Sequence, residues 1–269
     1  MLFSAKEMIL KRKSVRTFDG KGLSDDDLAF LEKTIRNLSV PFSVQPQFRI
    51  LNAKEYGLSS PVVVGEEWYL LGKIEKKAQW ELSYGYALEY LCLAALSRKI
   101  GTVIIAGTLN RPVFEKAIDV KDHEIMPAVT PLGIPAEKRS LREILMRKGI
   151  HADDRIPYES MVGYEPDCVL TEADAALFRE ALEMARLAPS AVNRQPARAV
   201  INGNTVDFYE EKSLKENELG DIQKVDLGAA VCHFDLVMQE NGASGRFEYD
   251  PEKAGNPFER EYIISWKKD

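Results

Sequence analysis

Cations are concentrated near the N-terminus of an otherwise acidic chain, at Lys11, Arg12, Lys13 and Arg16. A short helix with capping-box spacing is predicted just before them, and cations at the end of a helix complement its dipole. That effect alone accounts for such a cluster. If the chain is extended instead, Arg12, Ser14 and Arg16 project toward one face, where two guanidinium groups and a hydroxyl suit a phosphate. These residues by themselves leave both interpretations open.

A second polar segment follows a helix that is predicted to end at Leu187. Its sequence, APSAVNRQP, places Ser190, Asn193 and Gln195 in a short loop after Pro189. Loops of this composition present side-chain amides and backbone donors to ligands. They also occur as plain turns that end a helix, and this segment alone does not decide between the two roles.

Two further segments combine a predicted strand with a turn. The first, GTVIIAGTL, includes Ala106 and Gly107. In the second, AVTPLGIPAEKRS, the cations Lys138 and Arg139 follow the turn. A cation pair in that position is most often a solvated corner of the surface, because charged side chains are seldom fully buried.

The four segments together, in their order and spacing, resemble the FMN-dependent nitroreductase family. The shared motifs are R-x-S-x-R-x-F near the N-terminus, A-P-S-x-x-N-x-Q-P after a helix, and the late block LGIPAEKRSLREI. The resemblance touches most of the chain. It implies that the phosphate and ribityl end of FMN is held by Arg12, Ser14 and Arg16, with a further cation from Lys138 or Arg139.

The resemblance also implies contacts with the isoalloxazine ring. Pro189, Ser190 and Asn193 would line the ring from the second half of the chain. The backbone around Ala106 and Gly107 would lie near the flavin N5 edge. In such enzymes the flavin carries the redox chemistry, so no catalytic side chain and no metal is expected.

The chain departs from the family pattern in how the motifs are divided. Family members usually carry both flavin motifs in one subunit and dimerise, whereas here R-x-S-x-R lies only in the first half and A-P-S only in the second. The aromatic residue that often follows Q-P is replaced by Ala197. The arrangement is similar to the nitroreductase branch in which two degenerate halves share one chain, and it implies one FMN in a pseudo-dimeric monomer.

Three pairs of segments recur in the same order and must position these motifs. LSDDDLAFLEKTI resembles LTEADAALFREAL, and QPQFRILN resembles QPARAVIN. Two helices that are apolar nearly all round, and therefore buried, carry Gly85 and Gly228 at matching places. A glycine inside a helix is destabilising, and close approach of another helix would explain it. Ancestral duplication accounts for the repeats; two unrelated units with similar helices are the alternative.

The resemblance and the repeats predict an α+β class: a nitroreductase-like three-layer fold, internally duplicated as a pseudo-dimer with the central helices at the pseudo-interface. The halves are expected at 1–148 and 168–269, joined by a polar connection at 149–167. The implied activity is NAD(P)H-dependent reduction of nitroaromatics, quinones or similar electron-poor acceptors by alternating hydride transfer. A non-catalytic flavin- or ligand-binding protein, or an interaction protein with an emptied site, are the alternatives.

The composition of the chain disfavours several other classes of protein. The 269 residues include 36 Lys and Arg against 42 Asp and Glu, and a net charge of -6 disfavours nucleic-acid binding. No apolar run approaches the length of a membrane span or a secretory signal, so a cytoplasmic location is expected. The three cysteines and three histidines lack metal-ligand spacing. His233, inside an apolar helix, is predicted to be a hydrogen-bonded core histidine.

Overall fold

The computed structural model describes residues 2–255 and 260–269. Helices and strands are mixed along the chain, which confirms the predicted α+β class. The helices are α1 (Ala5–Lys11), α2 (Asp25–Arg36), α3 (Ala53–Tyr56), α4 (Trp80–Ser97), α5 (Arg111–Ala117), α6 (Leu141–Gly149), α7 (Tyr158–Met161), α8 (Glu172–Arg186) and α9 (Ile222–Glu240). The strands are β1 (Gln47–Asn52), β2 (Trp68–Glu75), β3 (Glu124–Ile125), β4 (Val129–Leu132), β5 (Val162–Tyr164), β6 (Ala197–Asn202), β7 (Thr205–Glu210), β8 (Gly245–Glu248) and β9 (Glu261–Lys268).

These strands form two sheets, one before and one after residue 150. In the first sheet, β2 pairs antiparallel with β1 and also with β3 and β4. In the second, the order is β5-β6-β7-β9-β8; β5 and β6 are parallel and the other neighbours antiparallel. Within the described residues, no helix combines the length and hydrophobicity that crossing a bilayer requires.

The two long helices α4 and α9 pack against each other at the centre of the molecule. A Cβ atom added at Gly85 would lie 1.9 Å from the carbonyl oxygen of Val225, and one added at Gly228 would lie 2.3 Å from that of Leu82. Each glycine therefore lets the backbone of the facing helix approach. This contact confirms the interpretation of the two glycines as a helix-crossing point.

Each half has a capped helix, two antiparallel strands and a central helix in the same order. The Ser24 hydroxyl accepts from the Asp27 N–H at 3.1 Å, and the Thr171 hydroxyl accepts from the Asp174 N–H at 3.1 Å. The capped helices α2 and α8 pack on α4 and α9 respectively. The repeated order agrees with the predicted duplication, which stays a prediction.

The connection is more structured than the sequence indicates. Residues 158–161 form α7, and Val162–Tyr164 form β5, which pairs with β6 and extends the second sheet. Elements of three or four residues are too short to show a hydrophobic period. The loop before α7, residues 150–157, is irregular, and it lies beside the cavity that follows.

Candidate functional site

A cavity of about 220 Å³ lies where the N-terminal segment meets the end of α6 and the end of α8. Its lining therefore comes from both halves of the chain and from the loop between them. Among the described residues, the charged side chains that line it are Arg12, Lys13, Asp153, Arg147 and Arg155. Four cations and one carboxylate give the cavity a positive potential in a protein of net charge -6, which favours an anionic ligand.

Arg12 is fixed on the inner wall of the cavity. It follows α1 in an extended conformation, and its Nε donates to Glu89 Oε1 at 2.7 Å. The Arg12 side chain is only 6% exposed. Its Nη2 is buried and has no hydrogen-bond partner among the described residues. An unsatisfied buried donor costs free energy, so a ligand oxygen at this atom would be favourable.

Glu89 and His233 form a buried network behind Arg12, and they come from the two central helices. His233 Nε2 lies 3.0 Å from the same Glu89 oxygen, and its Nδ1 lies 3.0 Å from the carbonyl oxygen of Met184. Burial raises the pKa of Glu89, but the charge of Arg12 and the hydrogen bonds from His233 and Arg12 outweigh it, and the pKa is lowered. The prediction of a hydrogen-bonded core histidine is thus confirmed.

Two further cations of the cavity belong to the end of α6 and the loop after it. Arg147 forms an ion pair with Asp153, and its Nη1 donates to the carbonyl oxygen of Ser14 at 3.4 Å. Arg155 donates to the carbonyl oxygens of Asp154 at 2.8 Å and Leu187 at 3.3 Å, which ties the loop to the end of α8. Burial and the charge of Arg12 lower the pKa of Arg155. Its Nε is buried and unpaired among the described residues.

The loop after α8 is held rigidly against the same cavity. The Ser190 hydroxyl accepts from the Gln195 N–H at 2.8 Å, and Asp226 accepts from the Ala191 N–H at 2.8 Å. Asn193, at φ 57°, donates to the carbonyl oxygen of His151 at 2.6 Å. These bonds fix the loop before any ligand arrives.

Pro189 and Ser190 also line a small apolar recess of about 20 Å³ beside the cavity. Asp226 lines this recess as well, and burial raises its pKa well above the ordinary value. The recess has room for about one water molecule. It therefore extends the cavity only slightly.

The structure brings together five of the ten residues that the resemblance assigned to the flavin. They share the lining of the cavity and are Arg12, Ser14, Pro189, Ser190 and Asn193. The amide of Asn193 forms hydrogen bonds with the loop at 151–155, and its expected contact with the flavin stays a prediction. The joint placement of the two motifs is nevertheless what a shared ligand site requires.

The other predicted cations are not among the described residues that line the cavity. Arg16 was expected to share a face with Arg12, but the segment is not a regular strand, and the side chain of Arg16 is half-buried near Glu143 and Arg147. Lys138 is exposed, and Arg139 pairs with Glu143 at 3.3 Å. Arg16 is not among the residues that line the cavity, and a face shared by Arg12 and Arg16 stays a prediction.

The backbone near Ala106 and Gly107 is likewise outside the cavity among the described residues. The carbonyl oxygen of Ala106 accepts from Arg111 Nη2 at 2.7 Å. The same guanidinium group donates to Met126, so it bridges this turn to the strand region beside β4. This segment therefore has a structural partner of its own.

Sequence reasoning missed Arg147 and Arg155, because the polar stretch RKGIHADDR was interpreted only as a connection. The available signal was weak: two arginines eight residues apart in a segment without periodicity. Only the path of the loop across the end of α8 brings them beside Arg12. Lys13 was recognised as part of the cation cluster but not assigned to the site.

The donor set of this cavity fits a phosphate monoester. Guanidinium groups form charge-assisted, bidentate bonds to phosphate oxygens. Arg12 and Arg155 line the cavity, and each carries one buried N–H donor without a partner among the described residues. The hydroxyls of Ser14 and Ser190 add neutral donors at its edge. Among residues 2–255 and 260–269, no group of three or more His, Cys, Asp or Glu side chains is arranged to hold a metal ion.

An antiparallel sheet and a mixed sheet flank the paired central helices, and the candidate anion site lies where the two halves of the chain meet. A family model described as "Putative TM nitroreductase" matches residues 4–238, so the chain belongs to that family. A comparison with curated proteins gives no significant match.

One solved structure shares the fold over nearly the whole chain, and others are similar over about half of it. A protein from Thermotoga maritima described as a putative nitroreductase is 20% identical and covers 99% of this chain and 94% of its own, with a TM-score of 0.64. An FMN-dependent nitroreductase from Clostridium difficile R20291 is 14% identical over 49% of this chain and 88% of its own, with a TM-score of 0.42. A nitroreductase with bound FMN from Bacteroides fragilis is 20% identical over 52% of this chain and 92% of its own, with a TM-score of 0.41.

Proposed function

We propose that the chain binds one FMN in this cavity and works in the cytoplasm as an NAD(P)H-dependent oxidoreductase for nitroaromatics, quinones or similar electron-poor acceptors. The observation that carries the proposal is the pair of buried, unpaired guanidinium donors, Arg12 Nη2 and Arg155 Nε, in a cationic cavity next to the A-P-S loop. Family membership and the FMN in the names of two structural relatives support the choice of ligand.

Different residues of the cavity would bind different parts of the ligand. Arg12, Arg147 and Arg155 would hold the phosphate, and Ser14 would add a hydroxyl. A bound FMN supplies reversible hydride transfer, so the protein needs to bind and orient it rather than to provide a nucleophile. The fixed loop that carries Ser190 would limit how the rest of the ligand lies, because its hydrogen bonds are already made.

The cavity volume limits how much of the ligand is enclosed. Pockets that bury most of a drug-sized ligand measure about 300–1,000 Å³, and this cavity measures about 220 Å³. It therefore encloses only part of a flavin nucleotide, including the phosphate. The remainder stays accessible, as reaction with a nicotinamide and then with an acceptor requires.

The division of the motifs between the two halves supports a stoichiometry of one FMN per chain. The arginines of the N-terminal segment and the A-P-S loop each occur once, in different halves, so one complete combination forms within a chain. We further propose that the halves at 1–148 and 168–269 arose by duplication, with 149–167 as their connection. The repeated order of capped helix, two strands and central helix supports this origin.

A second candidate function is binding of a smaller phosphorylated ligand without turnover. The modest volume of the cavity favours it, as does Asn193, whose amide already bonds to the loop at 151–155. Ala197, where relatives often have an aromatic residue, also weakens the case for ring packing. This alternative keeps the anion site and removes the redox reaction.

Measurements of binding and of turnover on the purified chain separate these functions. FMN titration by flavin fluorescence, with released flavin quantified against protein and mass measured by light scattering, should give one FMN per monomeric chain. NADH or NADPH oxidation is then followed with a nitroaromatic or a quinone as acceptor. Turnover supports the oxidoreductase, and FMN binding without turnover contradicts the reaction. Failure to bind FMN contradicts both the cofactor and the reaction, and it supports the second candidate if inorganic phosphate still binds.

A further inference from the structure

Helix α6 turns its apolar side chains to the solvent and its carboxylate to the interior. Leu141, Ile144 and Leu145 are 80%, 48% and 70% exposed, and their spacing places them on one face. Glu143, on the opposite face, is buried; it accepts from the Thr17 hydroxyl at 2.8 Å and from the Arg16 N–H at 3.3 Å. The core contacts of α6 are therefore polar, and its apolar face remains uncovered.

Cations surround this apolar face. Lys138, Arg142 and Lys148 are exposed, and none of them forms an ion pair within the part of the chain that the structure describes. Arg142 donates to the carbonyl oxygen of Pro61, which leaves its charge uncompensated. The protein as a whole carries a net charge of -6, so this is a local concentration of positive charge.

We propose that the exposed face of α6 docks on an anionic phospholipid surface. A helix with apolar residues on one face and cations around them lies in the interfacial plane of a bilayer, where apolar burial and attraction to acidic lipids act together. The cations of α6 lie on the flanks and at the end of the apolar face, where they would meet lipid headgroups while the leucines enter the acyl boundary.

Charge and size favour a lipid surface over a protein. Within Leu141–Gly149 the only acidic residue is the buried Glu143, so pairing of two copies through this face would bring Arg142 and Lys148 together without a compensating carboxylate. Like charges placed opposite each other oppose association. A helix of nine residues is about 13 Å long, too short to supply alone the roughly 800 Å² per partner of a stable protein interface.

The docked helix would bring the candidate site close to the membrane. Arg147 and Ile150, at the end of α6, line the cavity, and Leu10, which also lines it, is 64% exposed. The mouth of the cavity and the apolar face of α6 are thus linked through one short helix. The lipid contact itself does not depend on which ligand the cavity holds.

Vesicle sedimentation tests this surface. The full chain is mixed with vesicles of phosphatidylcholine alone or of phosphatidylcholine with phosphatidylglycerol, at low and high salt. We expect sedimentation with the anionic vesicles that decreases as salt rises. The double substitutions Leu141→Ser/Leu145→Ser and Arg142→Gln/Lys148→Gln should each lower the partition coefficient at least roughly tenfold.

A matched control uses exposed apolar residues elsewhere on the surface, Val169 and Tyr249, which are 85% and 52% exposed. Val169→Ser/Tyr249→Ser should sediment like wild type, and thermal melting should be equal in all three variants. Equal sedimentation with neutral and anionic vesicles, or wild-type sedimentation of Leu141→Ser/Leu145→Ser, would overturn the proposal. So would light scattering that shows a wild-type dimer converted to a monomer by that substitution, because a second copy would then cover the face.

Discussion

Replacing Arg147 by Gln removes one cation from the candidate anion site and should leave the fold intact. The Arg147 side chain is 11% exposed, but its ion-pair partner Asp153 is 82% exposed, and such a pair contributes little to stability. Its second contact, at 3.4 Å to the carbonyl oxygen of Ser14, is long. We therefore expect the melting temperature to change little.

Ligand affinity should change much more. A hydrogen bond to a charged group contributes about 1.5–3 kcal/mol. Because Arg147 is nearly buried, solvent screens this contact only weakly. Loss of one such bond to a phosphate weakens binding by about 10- to 150-fold. The measurement is the dissociation constant of FMN by flavin fluorescence, and that of inorganic phosphate by calorimetry.

Arg139→Gln is the matched control, since it makes the same chemical change close to the same helix. Arg139 is 46% exposed, pairs with Glu143 at 3.3 Å and lies outside the cavity, although the family motif assigned it to the flavin. Its substitution should leave both dissociation constants unchanged. If Arg139→Gln weakens binding as much as Arg147→Gln, or if Arg147→Gln binds like wild type, the assignment of the anion site to this cavity is refuted.

Three further predictions concern stability and are read out by thermal or denaturant unfolding. Arg12→Ala should destabilise the chain by about 3–5 kcal/mol, because it leaves the buried carboxylate of Glu89 without its cation. Adding Glu89→Gln should recover part of the lost stability. A wild-type melting curve for Arg12→Ala alone would contradict this account. Gly85→Ala should cost at least about 3 kcal/mol, because its Cβ meets backbone at 1.9 Å, whereas Gly149→Ala, with nothing within 4 Å, should be neutral or slightly stabilising. Burial raises the pKa of Glu210 to about 7, so its ionisation disfavours the folded state and stability should fall as pH rises through the range up to that value. Glu210→Gln should match wild type at pH ~5 and be more stable at pH ~8 by up to about 3 kcal/mol. Equal stability of the two proteins at both pH values would show that folding does not raise the pKa of this carboxyl.

The candidate site shows where local sequence is and is not sufficient. The R-x-S and A-P-S motifs both reach the cavity, because each lies directly after a helix whose end is marked in the sequence. Arg16 and Arg139 do not reach it, although they belong to the same motifs. Where a side chain points depends on the irregular segment that carries it, and no repeating pattern of residues specifies the path of such a segment.

Helix ends, buried helices and their crossing were determined by sequence alone. Hydroxyl caps at Ser24 and Thr171 act within one turn of the helix. The sequences of α4 and α9 are apolar on all sides, which predicts burial, and Gly85 and Gly228 lack the side chain that would keep another helix away. The composition of the anion site was decided only by tertiary structure. Arg147 and Arg155 are ordinary surface-type cations in the sequence, and they come to line the cavity because the loop after α6 crosses the end of α8 beside Arg12. That meeting joins residues more than 130 positions apart, and no local interaction encodes it.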